Sequence, residues 1–268
     1  MSISLLSVEF LLFSALAVAL IALLRGVLRQ GVFLAMNLSF VVHLLGPSGT
    51  LSTVAFCLLG YALTQAHLRW PRLRIAYTLP LFVLLFVYMR DYEFLHWLLP
   101  PDLLTSALRT IGLSFLFFKI IHVLVDAKSG TLGKLEFPTY VNYCLAFTTF
   151  MMGPIQRYQD YYAQWHGIEP AIPLSFEAHL DAGLRILVGL VKAYVLAGLV
   201  NRLALQPGTD VLELNATGWL VQLYAFTIFL YLNFSGYCDV VIGVGRLLGV
   251  RPPETFDQPF IARHASAL

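Results

Sequence analysis

Charge is what this sequence has least of. Aspartate, glutamate, lysine and arginine make up 12% of its 268 residues, about half the share of an ordinary soluble domain. Too few polar side chains remain to cover a soluble all-helical protein of this size, which excludes that class. Cysteine is scarce too: Cys57, Cys144 and Cys238 lie far apart in apolar segments and form no CxxC pair. That argues against a disulfide framework or a zinc site and leaves packed free thiols. No nucleophile elbow, HExxH helix or phosphate loop occurs, and the histidines do not cluster at ligand spacing, so no metal site and no bound cofactor are expected. The net charge of +2 supplies no strong basic field, and no nucleic-acid partner is expected. A cleavable signal peptide is also missing. No basic residue precedes the first apolar run, Glu9 sits inside it, and Arg25 and Arg29 follow it, so residues 6–24 read as a retained first span with the N-terminus outside.

What the sequence has in abundance is apolar length. Hydrophobic residues make up 59% of the chain and mean hydropathy is +0.76, the composition of a polytopic, all-α integral membrane protein. Spans are expected near 6–24, 31–46, 51–66, 75–90, 107–126, 138–153, 181–204 and 215–233, with a further apolar stretch at 237–250. Several fall short of the roughly 20 residues that a straight span needs, so tilted, broken or re-entrant pieces are expected among them. Alternate loops are basic: Arg25 and Arg29, then Arg69, Arg72 and Arg74, then Lys128 and Lys134. The loops between are neutral (46–50) or carry Asp91, Glu93 and Asp102. That alternation is the positive-inside pattern for an outside N-terminus. Residues 154–180 mix Tyr158, Tyr161, Tyr162 and Trp165 with Pro170 and Pro173, which suits either an interfacial segment at headgroup level or an ordinary loop. With no internal repeat or linker, residues 1–268 read as a single membrane domain.

Polar residues within the apolar runs are the candidates for chemistry, because a charge in a span faces protein or water rather than lipid. Lys119, His122 and Asp126 share one helix face, either as a polar cavity wall or, for Lys119 above all, as a group snorkelling to the boundary. Asp239 and Arg246 are two turns apart, introduced by Asn233 and Ser235, and pairing through a neighbouring helix would neutralise both. Gly236 permits a backbone break or a close helix approach. Gly243-x-Gly245-x-x-x-Gly249 is no nucleotide fingerprint; small residues four apart mark close packing in membranes. Gly153-Pro154 ends a span abruptly, and Arg157 follows at its edge, where it could hold a phosphate, a carboxylate or lipid headgroups.

Several of these segments together resemble the membrane-bound O-acyltransferase family, in particular its bacterial branch that acylates alginate and teichoic acid. They are Gly112-Leu113-Ser114-Phe115 with Asp126, Phe150 through Gly153-Pro154-Ile155-Gln156-Arg157, and Gly183-Leu184 with Gly189-Leu190-Val191-Lys192. The fullest is Tyr231 to Gly249, centred on Phe234-Ser235-Gly236-Tyr237-Cys238-Asp239, followed by Glu254-Thr255-Phe256 and Pro259-Phe260. Residues 107–268 carry the motifs, while 1–106 match only as hydrophobic helices. Asn233 stands where the family usually has aspartate, and Cys238 where it has serine.

The resemblance implies transfer of an acyl group, most simply acetyl, to a hydroxyl of an envelope or exopolysaccharide such as alginate. The implied donor is acyl-CoA or a carrier-linked thioester, bound as substrate. The implied partners are the lipid bilayer, an acyl carrier protein, and a polysaccharide acceptor or periplasmic transfer partner, all at a bacterial inner membrane. A histidine would act as general base, and Arg157, Asn233, Ser235, Tyr237, Asp239, Arg246 and Asp126 would line or pin the substrate tunnel. The sequence stops at Leu268, ahead of the family's Trp-His stretch and principal histidine. The expectation is therefore an N-terminal portion without its catalytic histidine, and His264 receives no catalytic role. A non-catalytic scaffold of the same fold, or a transporter, is the alternative.

Overall fold

The computed structural model describes residues 6–24, 26–70, 72–90, 112–167, 175–204 and 215–255, and all regular structure among them is helical. Asp91, Glu93, Asp102, Pro170, Pro173, Phe256, Pro259, Phe260 and His264 lie outside the described residues. In chain order the helices are α1 (Val8–Ala22), α2 (Gly26–Arg69), α3 (Ile75–Arg90), α4 (Leu113–Ser129), α5 (Phe137–Leu145), α6 (Phe147–Phe150), α7 (Tyr158–Trp165), α8 (Phe176–Leu190), a π-helical turn (Val191–Leu196), α9 (Ala197–Ala204) and α10 (Ala216–Leu247). Three stretches are long and apolar enough to cross a bilayer: α2, the α8–α9 run and α10. The chain divides into two compact units, one made of residues 19–170 and the other of 1–18 with 171–268.

In the 19–170 unit, α2 covers both expected spans 31–46 and 51–66. Forty-four residues would run about 66 Å if straight, twice a bilayer core. Gly46 interrupts it at φ 70°, ψ 176°, and Pro47 follows, so the expected loop at 46–50 reduces to a break at one residue. Only glycine enters that backbone region without strain. The expected span 138–153 is instead two short pieces. Helix α5 ends at Leu145, Ala146 leaves the helical region at ψ 112°, and α6 closes one further turn. Nearly every side chain from Thr139 to Phe150 is buried, so this segment is packed inside protein rather than against lipid. Helix α7 is amphipathic, burying Tyr158 and Tyr161 while Asp160 faces out, and residues 168–174 of the 154–180 segment lie outside the described residues.

In the other unit, α8, the π turn and α9 run antiparallel to α10. Gly189 packs on Gly236 and Ala182 on Gly243. A Cβ on Gly236 would lie 2.6 Å from the Gly189 carbonyl oxygen, and one on Gly189 would lie 2.5 Å from that of Gly236. The two backbones touch at this crossing. Helix α10 passes unbroken through Gly236, so the expected segments 215–233 and 237–250 are one helix and this glycine serves close approach. The packing glycines are thus Gly236 and Gly243. Gly245 faces Pro252 of the strand of chain that folds back after α10, and Gly249, at φ 79°, turns that chain. Away from the seam, Leu184, Leu187, Leu199, Trp219, Leu223 and Tyr224 are exposed, the apolar exterior of a helix pair built for a bilayer.

Candidate functional site

The seam between α8–α9 and α10 carries charge at a fixed offset from its small residues. Ala182 is followed three residues on by Arg185, Gly189 by Lys192, Gly236 by Asp239 and Gly243 by Arg246. Three residues is just under one helical turn, so each charge stands on the edge of the close contact. Antiparallel running then sets the charges of one helix beside those of the other.

The result is a chain of five ionised side chains. Lys192 Nζ donates to Asp239 Oδ2 at 2.6 Å. Arg185 reaches Asp239 Oδ1 with Nε at 3.1 Å and Nη2 at 3.0 Å. Arg185 also grips Glu254 with both arms, Nη1 to Oε1 at 2.6 Å and Nη2 to Oε2. Arg246 Nη2 completes the chain on Glu254 Oε1 at 3.2 Å. The expected pairing of Asp239 and Arg246 through a neighbouring helix is thereby corrected in detail. Asp239 goes to Arg185 and Lys192 of the neighbour, and Arg246 goes to Glu254. Hydrogen bonding from Arg185 holds the Glu254 carboxyl below the usual carboxylate range, against the partial burial that would raise it.

The π turn falls on this site. Its closing bond runs from the Ala197 N–H to the Lys192 carbonyl, five residues back, which widens the helix where it passes Gly236. Turns of this kind inside α-helices are frequent at functional sites.

Beside the ion chain lies a cavity of about 60 Å³. Arg185, Lys192, Ser235, Asp239, Glu254 and Thr255 give it polar walls, with Tyr231, Cys238 and Ile242 completing the lining. That is space for a few ordered waters or one small polar group. No histidine is among its lining residues.

The sequence-derived candidates fall into three sets. Ser235 and Asp239 line the cavity, Arg246 reaches it through Glu254, and Gly236 forms the seam beneath it. Asn233 is exposed on α10, and Tyr237 is buried with its ring centroid 6.5 Å from that of Phe10, so neither joins the cavity lining. Asp126, Gly153, Pro154 and Arg157 belong to the 19–170 unit. There, buried Asp126 accepts from Gln159 Nε2 at 2.9 Å and from Thr131 Oγ1 at 3.3 Å, which ties α4 to α7. Gly153 at φ 132° and Pro154 are buried in the turn leading to exposed Arg157, the residue that caps the start of α7.

Arg185 and Lys192 were not among the candidates, although a signal existed. They sit seven apart in an apolar helix, as Asp239 and Arg246 do, and the two helices match only when aligned antiparallel.

The 19–170 unit holds its own buried polar network, arranged around the break between α5 and α6. Asn37 Oδ1 accepts from the Phe147 N–H at 3.0 Å while its Nδ2 donates to Asn142 Oδ1 at 3.1 Å. Asn142 in turn donates to the Gln30 carbonyl at 3.1 Å. Lys119, 2% exposed, donates to the Tyr143 carbonyl at 3.0 Å and to Thr149 Oγ1 at 2.8 Å. The snorkelling expected of Lys119 is therefore wrong: its ammonium caps the carbonyl end of α5 from inside the core, where the helix dipole favours a cation. At the unit's polar edge, Glu136 accepts from Lys134 at 2.5 Å and from Tyr162 at 3.1 Å, and pairs with His166 at 2.9 Å.

Membrane-length helices, exposed apolar faces and polar side chains gathered inside define an all-α membrane protein. No protein-family model matches the chain. It is 28% identical over 171 residues to the teichoic acid D-alanyltransferase of Bacillus subtilis, across 62% of this chain and 41% of that one. It is 31% identical over 169 residues to a probable alginate O-acetylase of Pseudomonas aeruginosa, across 61% of this chain and 31% of that one. A second such protein, of Pseudomonas syringae, is 30% identical over 171 residues, 62% of this chain and 31% of that one. These homologues are members of the membrane-bound O-acyltransferase family. The match spans less than half the length of each of these relatives.

Proposed function

We propose that this chain forms part of a membrane-bound O-acyltransferase that esterifies hydroxyl groups of an envelope polymer, with acetyl on an exopolysaccharide as the first candidate and D-alanyl on teichoic acid as the second. The observation that carries the reading is homology over about 170 residues to relatives of both kinds, in a chain whose helices suit a bilayer. In that reaction a general base takes the acceptor hydroxyl proton, the oxygen attacks the thioester carbonyl, and the C–S bond breaks to release the thiol. The negative charge passes through the carbonyl oxygen and needs donors nearby. No base among the described residues is assigned to this step. Asp239, paired with Arg185 and Lys192, serves instead to fix the α8–α10 seam, and the ion chain that Glu254 and Arg246 complete presents positive charge at one small cavity.

The setting that accompanies this function is an inner membrane, with the N-terminus outside and basic loops such as Arg69–Arg74 on the cytoplasmic side. An acyl donor and a polymer acceptor are its partners. The test is to disrupt the coding sequence in its native cell and quantify base-labile acetyl and D-alanyl esters on the envelope polymers. Loss of one ester, restored by the gene, supports the reading and names the acyl group. Unchanged levels of both esters would remove it.

A further inference from the structure

The strand of chain after α10 closes over the cavity, and Glu254 anchors it there. Val250 N–H returns to the Gly245 carbonyl at 2.8 Å, Pro252 packs on the face of Gly245, and Glu254 and Thr255 reach the cavity wall. The two carboxylates of the ion chain are held very differently. Asp239 stands on a helix, 13% exposed, between Arg185 and Lys192. Glu254 stands on this returning strap, 53% exposed, gripped by both arms of Arg185 and by Arg246. Three cations face two acids, so the cluster keeps an excess positive charge, and removing Glu254 would leave three cations on one. Two guanidinium groups converging on one carboxylate is the geometry with which arginine also takes phosphate.

We propose that Arg185 and Arg246, with Lys192 behind them, form a binding site for a phosphate-type oxyanion, and that the strap carboxylate of Glu254 occupies it in the closed state. The incoming anion exchanges with Glu254 and frees the strap from the cavity mouth. Its source is either a soluble phosphate ester or a phospholipid headgroup, since both present the same oxygens. The site rests on the side chains named here and stands whether or not the chain takes part in acyl transfer.

The experiment holds the full 268-residue chain in dodecyl maltoside micelles, which carry no phosphate, and titrates inorganic phosphate, following binding by phosphorus NMR line broadening. Glu254→Gln removes the competing charge and should tighten phosphate binding by about tenfold, the scale of one charge-assisted contact. Arg185→Gln should abolish it. Cys238 provides a second measurement without altering the strap: it lines the cavity and is 2% exposed. Saturating phosphate should accelerate its alkylation by maleimide, assigned by peptide mass spectrometry apart from buried Cys57 and Cys144. Repeating the labelling in phosphatidylglycerol nanodiscs identifies the source. A lipid-filled site shows fast Cys238 labelling before any phosphate is added, whereas a site for soluble anions shows it only afterwards. Equal phosphate affinity in wild type and Glu254→Gln, or Cys238 labelling indifferent to both phosphate and phosphatidylglycerol, would overturn the proposal.

Discussion

The two units bury polar side chains for opposite purposes. Around the α5–α6 break, Asn37 and Lys119 bond to backbone groups that the broken helix leaves open, and Asn142 ties Asn37 to the Gln30 carbonyl of α2. Along the α8–α10 seam, Lys192, Asp239, Arg185, Glu254 and Arg246 bond to one another and leave a cavity among them. Non-helical backbone within a membrane-spanning fold persists only where something satisfies it, so the first arrangement explains why a break can exist at all. The second sits between helices whose backbones need no such help. A polar group that serves the backbone is structural; one that serves only other side chains around a space is free to serve a ligand as well.

The units also differ in how their helices meet, and that sets the largest expected effect. A Cβ on Gly236 would press on backbone of the facing helix, at Gly189 and Ala193. A Cβ on Gly60 would meet only side-chain atoms, Ile120 Cγ2 at 2.5 Å and Tyr140 Oη at 2.8 Å. Backbone cannot move without parting the helices, whereas side chains can rotate. Gly236→Ala should therefore destabilise by about 3 kcal/mol and Gly60→Ala by about 1 kcal/mol, the upper and lower ends of overpacking. Thermal unfolding of both variants in one detergent checks the order. Equal losses would mean that the seam is looser than its glycines imply.

Removing a backbone-serving side chain comes next. Asn37→Leu orphans the Phe147 N–H and one end of Asn142, both buried, for a loss of about 2–3 kcal/mol. The change should show in unfolding and should appear as faster amide exchange around residues 145–148. Protection unchanged at Phe147 would break the account of the helix break.

Asp239→Asn should weaken the seam by about 2 kcal/mol, below the roughly 3–5 kcal/mol for breaking a fully buried pair, because Lys192 is 32% exposed at its side chain. Adding Lys192→Gln to that variant should cost less than Lys192→Gln does in the wild type, since the cation has already lost its partner. Strict additivity in that double-mutant cycle would show that the ion chain is a set of independent surface charges.

What the sequence disclosed follows the same division. Apolar runs gave nearly every helix, because burial and lipid exposure both demand continuous hydrophobicity. They could not tell a spanning helix from the buried, broken α5–α6, since both read as apolar. Gly236 admitted two readings, a break or a contact, and only the facing Gly189 decides between them. Asp239 and Arg246 stood out as charges in an apolar stretch, yet their true partners Arg185 and Glu254 are 54 and 8 residues away respectively. Lys119 looked like a snorkelling residue because nothing local reveals that the Tyr143 carbonyl, 24 residues on, would need a donor.

The smallest effect is the one acidity should produce, and it separates the strap from the rest of the ion chain. Arg185 holds the Glu254 carboxyl below its ordinary value of 4.5, so the folded state binds that proton less readily than the unfolded chain does. The stabilisation from this pair is accordingly complete above about pH 4.5 and falls away as pH drops through the lowered value. Glu254 is half exposed, and solvent screening keeps the contribution small. Acidification below pH 4.5 should therefore release the strap before it melts the seam: Cys238 modification by a dithiodipyridine, which reacts with thiols in acid, should quicken while the unfolding temperature barely changes. In Glu254→Gln the labelling rate should already be high and flat across that range. A seam that loosens at the same pH as the strap would mean that Glu254 braces the helices rather than merely closing the space between them.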